Sequence, residues 1–100
     1  MQFLSVQSLK ASLLSKEPLF LLDIREHYEY EERHIEGHHM PMAEVSSQLE
    51  HLPKNQQIVL MCQSGRRAEA LANFLETEYQ LSNLSVLEGG LTAWFEANSN

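Results

Sequence analysis

Cys62 is the single cysteine of this chain and the residue whose chemistry the rest of the sequence is arranged to serve. It ends the apolar, partly β-branched run Ile58-Val59-Leu60-Met61 and opens the polar loop Gln63-Ser64-Gly65-Arg66-Arg67. Beyond the loop, Ala68, Leu71, Ala72 and Leu75 fall at helical spacing. A helix that starts here turns its unpartnered first amides and the positive end of its dipole toward the loop, where an anion is stabilised. The thiolate is the nucleophilic form of cysteine, and helix amides with neighbouring cations favour it. Gly65 takes positive φ without strain, so successive N–H groups can line an anion nest. The expected chemistry is nucleophilic: a sulfur anion at Cys62 held by backbone donors of Gln63, Ser64, Gly65, Arg66 and Arg67, with the Ser64 hydroxyl as a further donor. A lone cysteine after an apolar strand is often a small core residue, but a glycine and two arginines would be an odd way to continue a core.

The elements that must position this loop are legible as alternating strands and helices. Ser5 caps a helix carrying Val6, Leu9 and Leu13 after a short entry strand. Leu19-Phe20-Leu21-Leu22, set off by Pro18, is an unbroken apolar run of strand length, as expected of a strand buried on both faces of a parallel sheet. Asp23 ends it at the carboxyl edge, where open α/β folds place their ligands. Glu26 to Glu36 predicts a short exposed helix and loop, its glutamates a solvated face. Met40-Pro41-Met42 predicts a very short strand, and Ala43, Val45, Leu49 and Leu52 a helix that Pro53 closes. The polar turn Lys54 to Gln57 leads into Ile58–Met61, Leu84-Ser85-Val86-Leu87 is the last strand, and Gly89-Gly90 turns into a final helix with Leu91, Trp94 and Phe95. Trp94 is expected in the core. This order implies α/β architecture with right-handed crossovers and a mainly parallel sheet.

Composition narrows the function. One hundred residues, 43% hydrophobic with 4 glycines and 3 prolines, make one ordinary globule that buries roughly 60 to 65 percent of its unfolded surface. A net charge of −7 argues against nucleic acid or an anionic membrane as the main partner. In so acidic a chain an anionic substrate needs a local positive patch, and Arg66-Arg67 is the only adjacent basic pair. A lone cysteine forms no internal disulfide, and there is neither a membrane-spanning run nor a signal-peptide core at the start, so the expected setting is cytoplasmic. His34, His38 and His39 invite a metal reading, yet zinc sites ask for a further ligand and a stricter pattern; no metal is expected.

Cys62-Gln63-Ser64-Gly65-Arg66-Arg67 resembles the Cys-x4-Arg active-site loop of rhodanese (thiosulfate sulfurtransferase-like) domains. Leu22-Asp23-Ile24-Arg25-Glu26 with Tyr28-Glu29-Tyr30, and Val86-Leu87-Glu88-Gly89-Gly90-Leu91 with Trp94, resemble that family in the family's order. The resemblance implies a rhodanese-like α/β fold with a central five-stranded sheet, helices on both faces and the strand before Cys62 at its centre. It implies a sulfurtransferase in which Cys62 carries a persulfide, taking sulfur from thiosulfate or another persulfide donor and giving it to cyanide or a thiol, without a metal or organic cofactor. Arg67 matches the closing arginine and is expected to brace the loop or meet the donor, with Arg66 the weaker candidate. Asp23 and Arg25 match a family motif and are expected to cap and pair at the sheet edge. The chain departs from the family at Arg33-His34-Ile35-Glu36-Gly37-His38, where Gly-His-Ile-Pro-Gly-Ala is usual, and the expected effect is at the mouth of the site. Two rivals remain: a sulfur-relay or protein-binding rhodanese module, and a phosphatase or arsenate reductase of related fold. The latter uses a loop one residue longer, so a tetrahedral phosphate would fit poorly here.

Overall fold

The computed structural model describes residues 1–99. Strands β1 (Gln2–Leu4), β2 (Leu19–Asp23), β3 (His38–His39), β4 (Gln57–Met61) and β5 (Leu84–Leu87) alternate with helices α1 (Val6–Leu14), α2 (His27–Glu32), α3 (Met42–Val45), α4 (Arg66–Tyr79) and α5 (Gly90–Ala97). The strands form one sheet in the order β1-β5-β4-β2-β3, with every pairing parallel. The strand leading to Cys62 is therefore central, as expected, and its carboxyl end lies beside that of β2.

Alternation along the inner strands divides the core in two. Leu22, Ile58, Leu60, Leu84 and Val86 pack with Ala68, Leu71, Ala72 and Leu75 of α4. Leu21, Val59, Met61 and Leu87 pack with Val6 and Leu9 of α1 and Leu91 of α5, with Trp94 partly buried against them. Because both faces of β2 and β4 are covered, these strands read as continuous apolar runs without polar alternation.

Two elements differ from expectation. The strand predicted at Met40-Pro41-Met42 lies two residues earlier, at His38–His39. Pro41 has no N–H to give a ladder, although the amides on either side of it still donate to the end of β2 and the residue after it, Met40 to Asp23 O (3.0 Å) and Met42 to Ile24 O (3.0 Å). The single helix predicted over Ala43 to Leu52 is instead α3 and a separate 3-10 turn, Leu49–His51. Ser47 Oγ donates to Glu44 O (2.9 Å), a side-chain bond that competes with helix continuation. Val45 and Leu52 reach the core all the same.

Candidate active site

Cys62 continues the parity of Ile58 and Leu60 past the end of β4, which places it in the α4-side core with no exposed surface. Burial alone would suit a small core residue. The polar contacts of its sulfur do not: Gly65 N donates to Sγ at 3.1 Å and Ala68 N at 3.4 Å. Gly65 makes this possible as the N-cap of α4, with φ of 98° in the left-handed region that favours glycine. The sulfur thus sits at the amide-rich, dipole-positive end of a 14-residue helix.

Of the five loop amides expected to face the sulfur, Gly65 does so. Arg66 N turns to Ser64 Oγ (3.4 Å), and Ser64 accepts there instead of donating to the sulfur. The amides of Gln63, Ser64 and Arg67 carry no hydrogen bond among the described residues. Ala68, outside the predicted set, supplies the second donor through its main chain. Its place in the first turn of α4 was the available signal, since first-turn amides lack helical partners.

Three elements brace the loop. From α5, Leu91 N donates to Cys62 O (2.8 Å) and Thr92 N to Gln63 O (3.0 Å). Gly90 permits that approach: with φ of 64°, a Cβ added there would meet Gln63 O at 2.5 Å and Cys62 O at 2.6 Å. The Gln63 side chain is fixed at both ends, Nε2 donating to Thr92 Oγ1 (2.8 Å) and Oε1 accepting from Arg25 Nη1 (3.2 Å). At the carboxyl end of β2, Arg25 and Asp23 form a buried pair: Nη2 to Oδ2 is 2.8 Å and Nε lies 3.1 and 3.2 Å from the two carboxylate oxygens. Arg25 Nη2 also donates to Arg33 O (2.6 Å), and Asp23 Oδ1 accepts from Arg25 N (3.0 Å). From α2, Glu29 takes both Nη groups of Arg67, each at 2.9 Å, and accepts from Glu26 N at 3.1 Å.

The hydrogen bond from Arg67 lowers the Glu29 carboxyl to about 2, against partial burial that would raise it; the Glu26 amide and the charges of Arg67 and Arg25 lower it further. Arg67 is raised in return, chiefly by that bond, with burial opposing it and the Glu29 and Cys62 charges assisting. Glu29, Thr92 and the Gly90 contact were not identified from sequence as parts of the site. Glu29 lay inside the motif Tyr28-Glu29-Tyr30, but nothing in its spacing announces a partner 38 residues away.

Arg25, Glu29, Glu32, Arg33, Gln63 and Phe95 line a cleft of about 400 Å³ beside the loop. Arg33 lies over the Phe95 ring at 3.9 Å. The three histidines weighed for a metal are drawn into ring stacks: His34 and His39 lie against Tyr30 and His38 against Phe20. His39 Nε2 donates to Arg25 O (2.8 Å) and His34 Nδ1 to Tyr30 O (2.7 Å), roles required because a carbonyl only accepts. Among the described residues no group of three or more His, Cys, Asp or Glu is placed to hold a metal ion, and no helix is long and apolar enough to cross a membrane.

The rhodanese-like domain model matches residues 5–97, so the chain belongs to the rhodanese-like family. YrkF of Bacillus subtilis, named as a sulfur carrier protein, is 36% identical over 87 residues; the match takes in 86% of this chain and 47% of YrkF, so the chain spans about half of that relative's length. YtwF of the same organism, named as a sulfurtransferase, is 33% identical over 92 residues, covering 91% of this chain and 87% of YtwF. Among solved structures, a rhodanese-related protein of Thermoplasma volcanium superposes with a TM-score of 0.86 over 100% of this chain and 96% of that one; at 22% identity it speaks to fold alone.

Proposed function

We propose that the chain is a sulfurtransferase working through a persulfide on Cys62. The Cys62 thiolate attacks the outer sulfur of thiosulfate; the new bond joins Sγ to that sulfur, the donor's sulfur–sulfur bond breaks, and its electron pair leaves with sulfite. Cyanide or a thiolate then attacks the outer sulfur of Cys62–S–S⁻, and the electron pair of the breaking bond restores the thiolate. Each half-reaction conserves charge and needs no oxidant, metal or organic cofactor. Backbone donors hold the anion at both stages, Gly65 and Ala68 at Sγ, while Gln63, Ser64 and Arg67 have amides to offer an added sulfur. Because Cys62 is covered at rest, loading requires loop side chains to shift.

The observation that carries this reading is the convergence of two main-chain N–H groups on Sγ at the start of α4. Intact-mass analysis after thiosulfate treatment tests it. The expected result is one added sulfur atom, removed by cyanide and absent in Cys62→Ser; no mass gain in the wild-type protein would overturn it. Turnover of a phosphate ester would instead favour the phosphatase rival.

The resemblance to YrkF supports a second reading, in which the same persulfide is handed to a partner protein in a sulfur relay without independent turnover. Under it the loaded chain passes its sulfur to a protein acceptor much faster than to cyanide or small thiols, a ratio that stopped-flow unloading measures.

A further inference from the structure

We infer that the cleft beside Gln63 is a subsite for the head group of a zwitterionic donor, so that the site takes an amino-acid persulfide of the cysteine type; this rests on the Cys62 persulfide reading. The lining carries both signs of charge, but most of it is already spent. Arg25 is engaged by Asp23, Gln63 and the Arg33 carbonyl, and Glu29 by Arg67. Arg33 and Glu32 remain, one cation and one anion that form no ion pair among the described residues. The uncompensated charge of the cleft is therefore a dipole, not a positive patch.

An inorganic dianion is attracted by Arg33 but repelled by Glu32. An α-ammonium carboxylate satisfies both, its carboxylate on the Arg33 guanidinium and its ammonium on Glu32. Size agrees, because about 400 Å³ lies in the range of pockets for organic ligands and exceeds what a five-atom anion fills. The Phe95 ring beneath Arg33 pre-orients the guanidinium and adds an apolar wall. Gln63, on the cleft wall and adjacent to Cys62 in the chain, ties the subsite to the loop.

The step remains balanced with such a donor. Cys62 thiolate attacks the outer sulfur of R–S–SH, Sγ gains that sulfur with its proton, the donor's sulfur–sulfur bond breaks, and the pair leaves on R–S⁻.

Binding is tested apart from turnover with S-methylcysteine, an unreactive probe, by following the amide signals of Gln63 and Phe95 by NMR in the wild type, Arg33→Gln and Glu32→Gln. Saturable shifts in the wild type are expected, with apparent Kd raised about tenfold in each variant, as for the loss of one charge-assisted hydrogen bond. Arg33→Gln keeps the backbone carbonyl that Arg25 uses. 3-(Methylthio)propionate, which lacks the ammonium, should bind the wild type more weakly than S-methylcysteine does and should gain, not lose, from Glu32→Gln. Absence of saturable shifts, or equal affinity in all three proteins, overturns the subsite. Binding of the probe without any sulfur gain on Cys62 would sink the persulfide reading and leave the subsite standing, so the two failures are distinguishable.

Discussion

Arg25 and Arg67 brace the same six-residue loop through the same chemistry, a guanidinium on a carboxylate, in opposite environments. The Arg25–Asp23 pair is sealed, with side chains 3% and 2% exposed. Its donors are shared among Asp23, Gln63 and the Arg33 carbonyl, so both charges are satisfied in place. The Arg67–Glu29 pair has a geometry just as good, but Arg67 is 38% exposed and Glu29 16%. Desolvation makes a buried pair costly to break, because the surviving charge is stranded, while solvent and salt screen the exposed pair down to about 1 kcal/mol or less. The contrast assigns one brace to the fold and leaves the other open to competition from solutes near the sulfur.

The largest effect that could break this contrast is at Asp23. Asp23→Asn leaves the Arg25 charge buried without its counter-ion, and the expected cost is about 3–5 kcal/mol, read as a lower urea midpoint. A loss under about 1 kcal/mol would put both braces in the same class. Next is the uncharged brace from α5. Gly90→Ala places a methyl against the carbonyls of Gln63 and Cys62 and asks alanine to hold φ of 64°. The expected destabilisation is about 1–3 kcal/mol, with slower sulfur loading by mass analysis, since the clash falls on the nucleophile's own backbone. Unchanged loading would mean that α5 supports the sheet without setting the loop.

The same division explains what could be seen without coordinates. The apolar runs Leu19–Leu22 and Ile58–Met61 declared strands covered on both faces, and Cys62-Gln63-Ser64-Gly65 followed by a helical pattern declared a loop at a helix start; both are local signals, and the fold follows them. What failed was either overruled locally or set at a distance. Met40-Pro41-Met42 gave up its strand to His38–His39 because pairing with β2 and stacking on Phe20 and Tyr30 outweigh apolar character. Ser46-Ser47 interrupted an otherwise helical apolar spacing. Glu29 looked like one more solvated glutamate of α2, since only the folded chain brings Arg67 to it. Ala68 was invisible as a sulfur ligand because the contribution is its amide, which any residue there except proline would supply.

The smallest effect is at Glu29, and pH gives it a direction. The hydrogen bond from Arg67 lowers its carboxyl from the ordinary 4.5 to about 2, so between those values the folded chain binds fewer protons than the unfolded chain. The resulting stabilisation is complete above about 4.5 and is lost as pH falls toward 2. Exposure of Arg67 discounts it, so Glu29→Gln should cost about 1 kcal/mol or less near neutrality. The signature is therefore the profile and not the size. In paired urea titrations the difference between wild type and Glu29→Gln should be flat through neutral pH and fall by more than half by about pH 3. Asp23→Asn provides the reference measured in parallel. A Glu29→Gln penalty that rivals that of Asp23→Asn, or one that stays constant to low pH, would assign Glu29 a packing role and dissolve the distinction between the sealed brace and the open one.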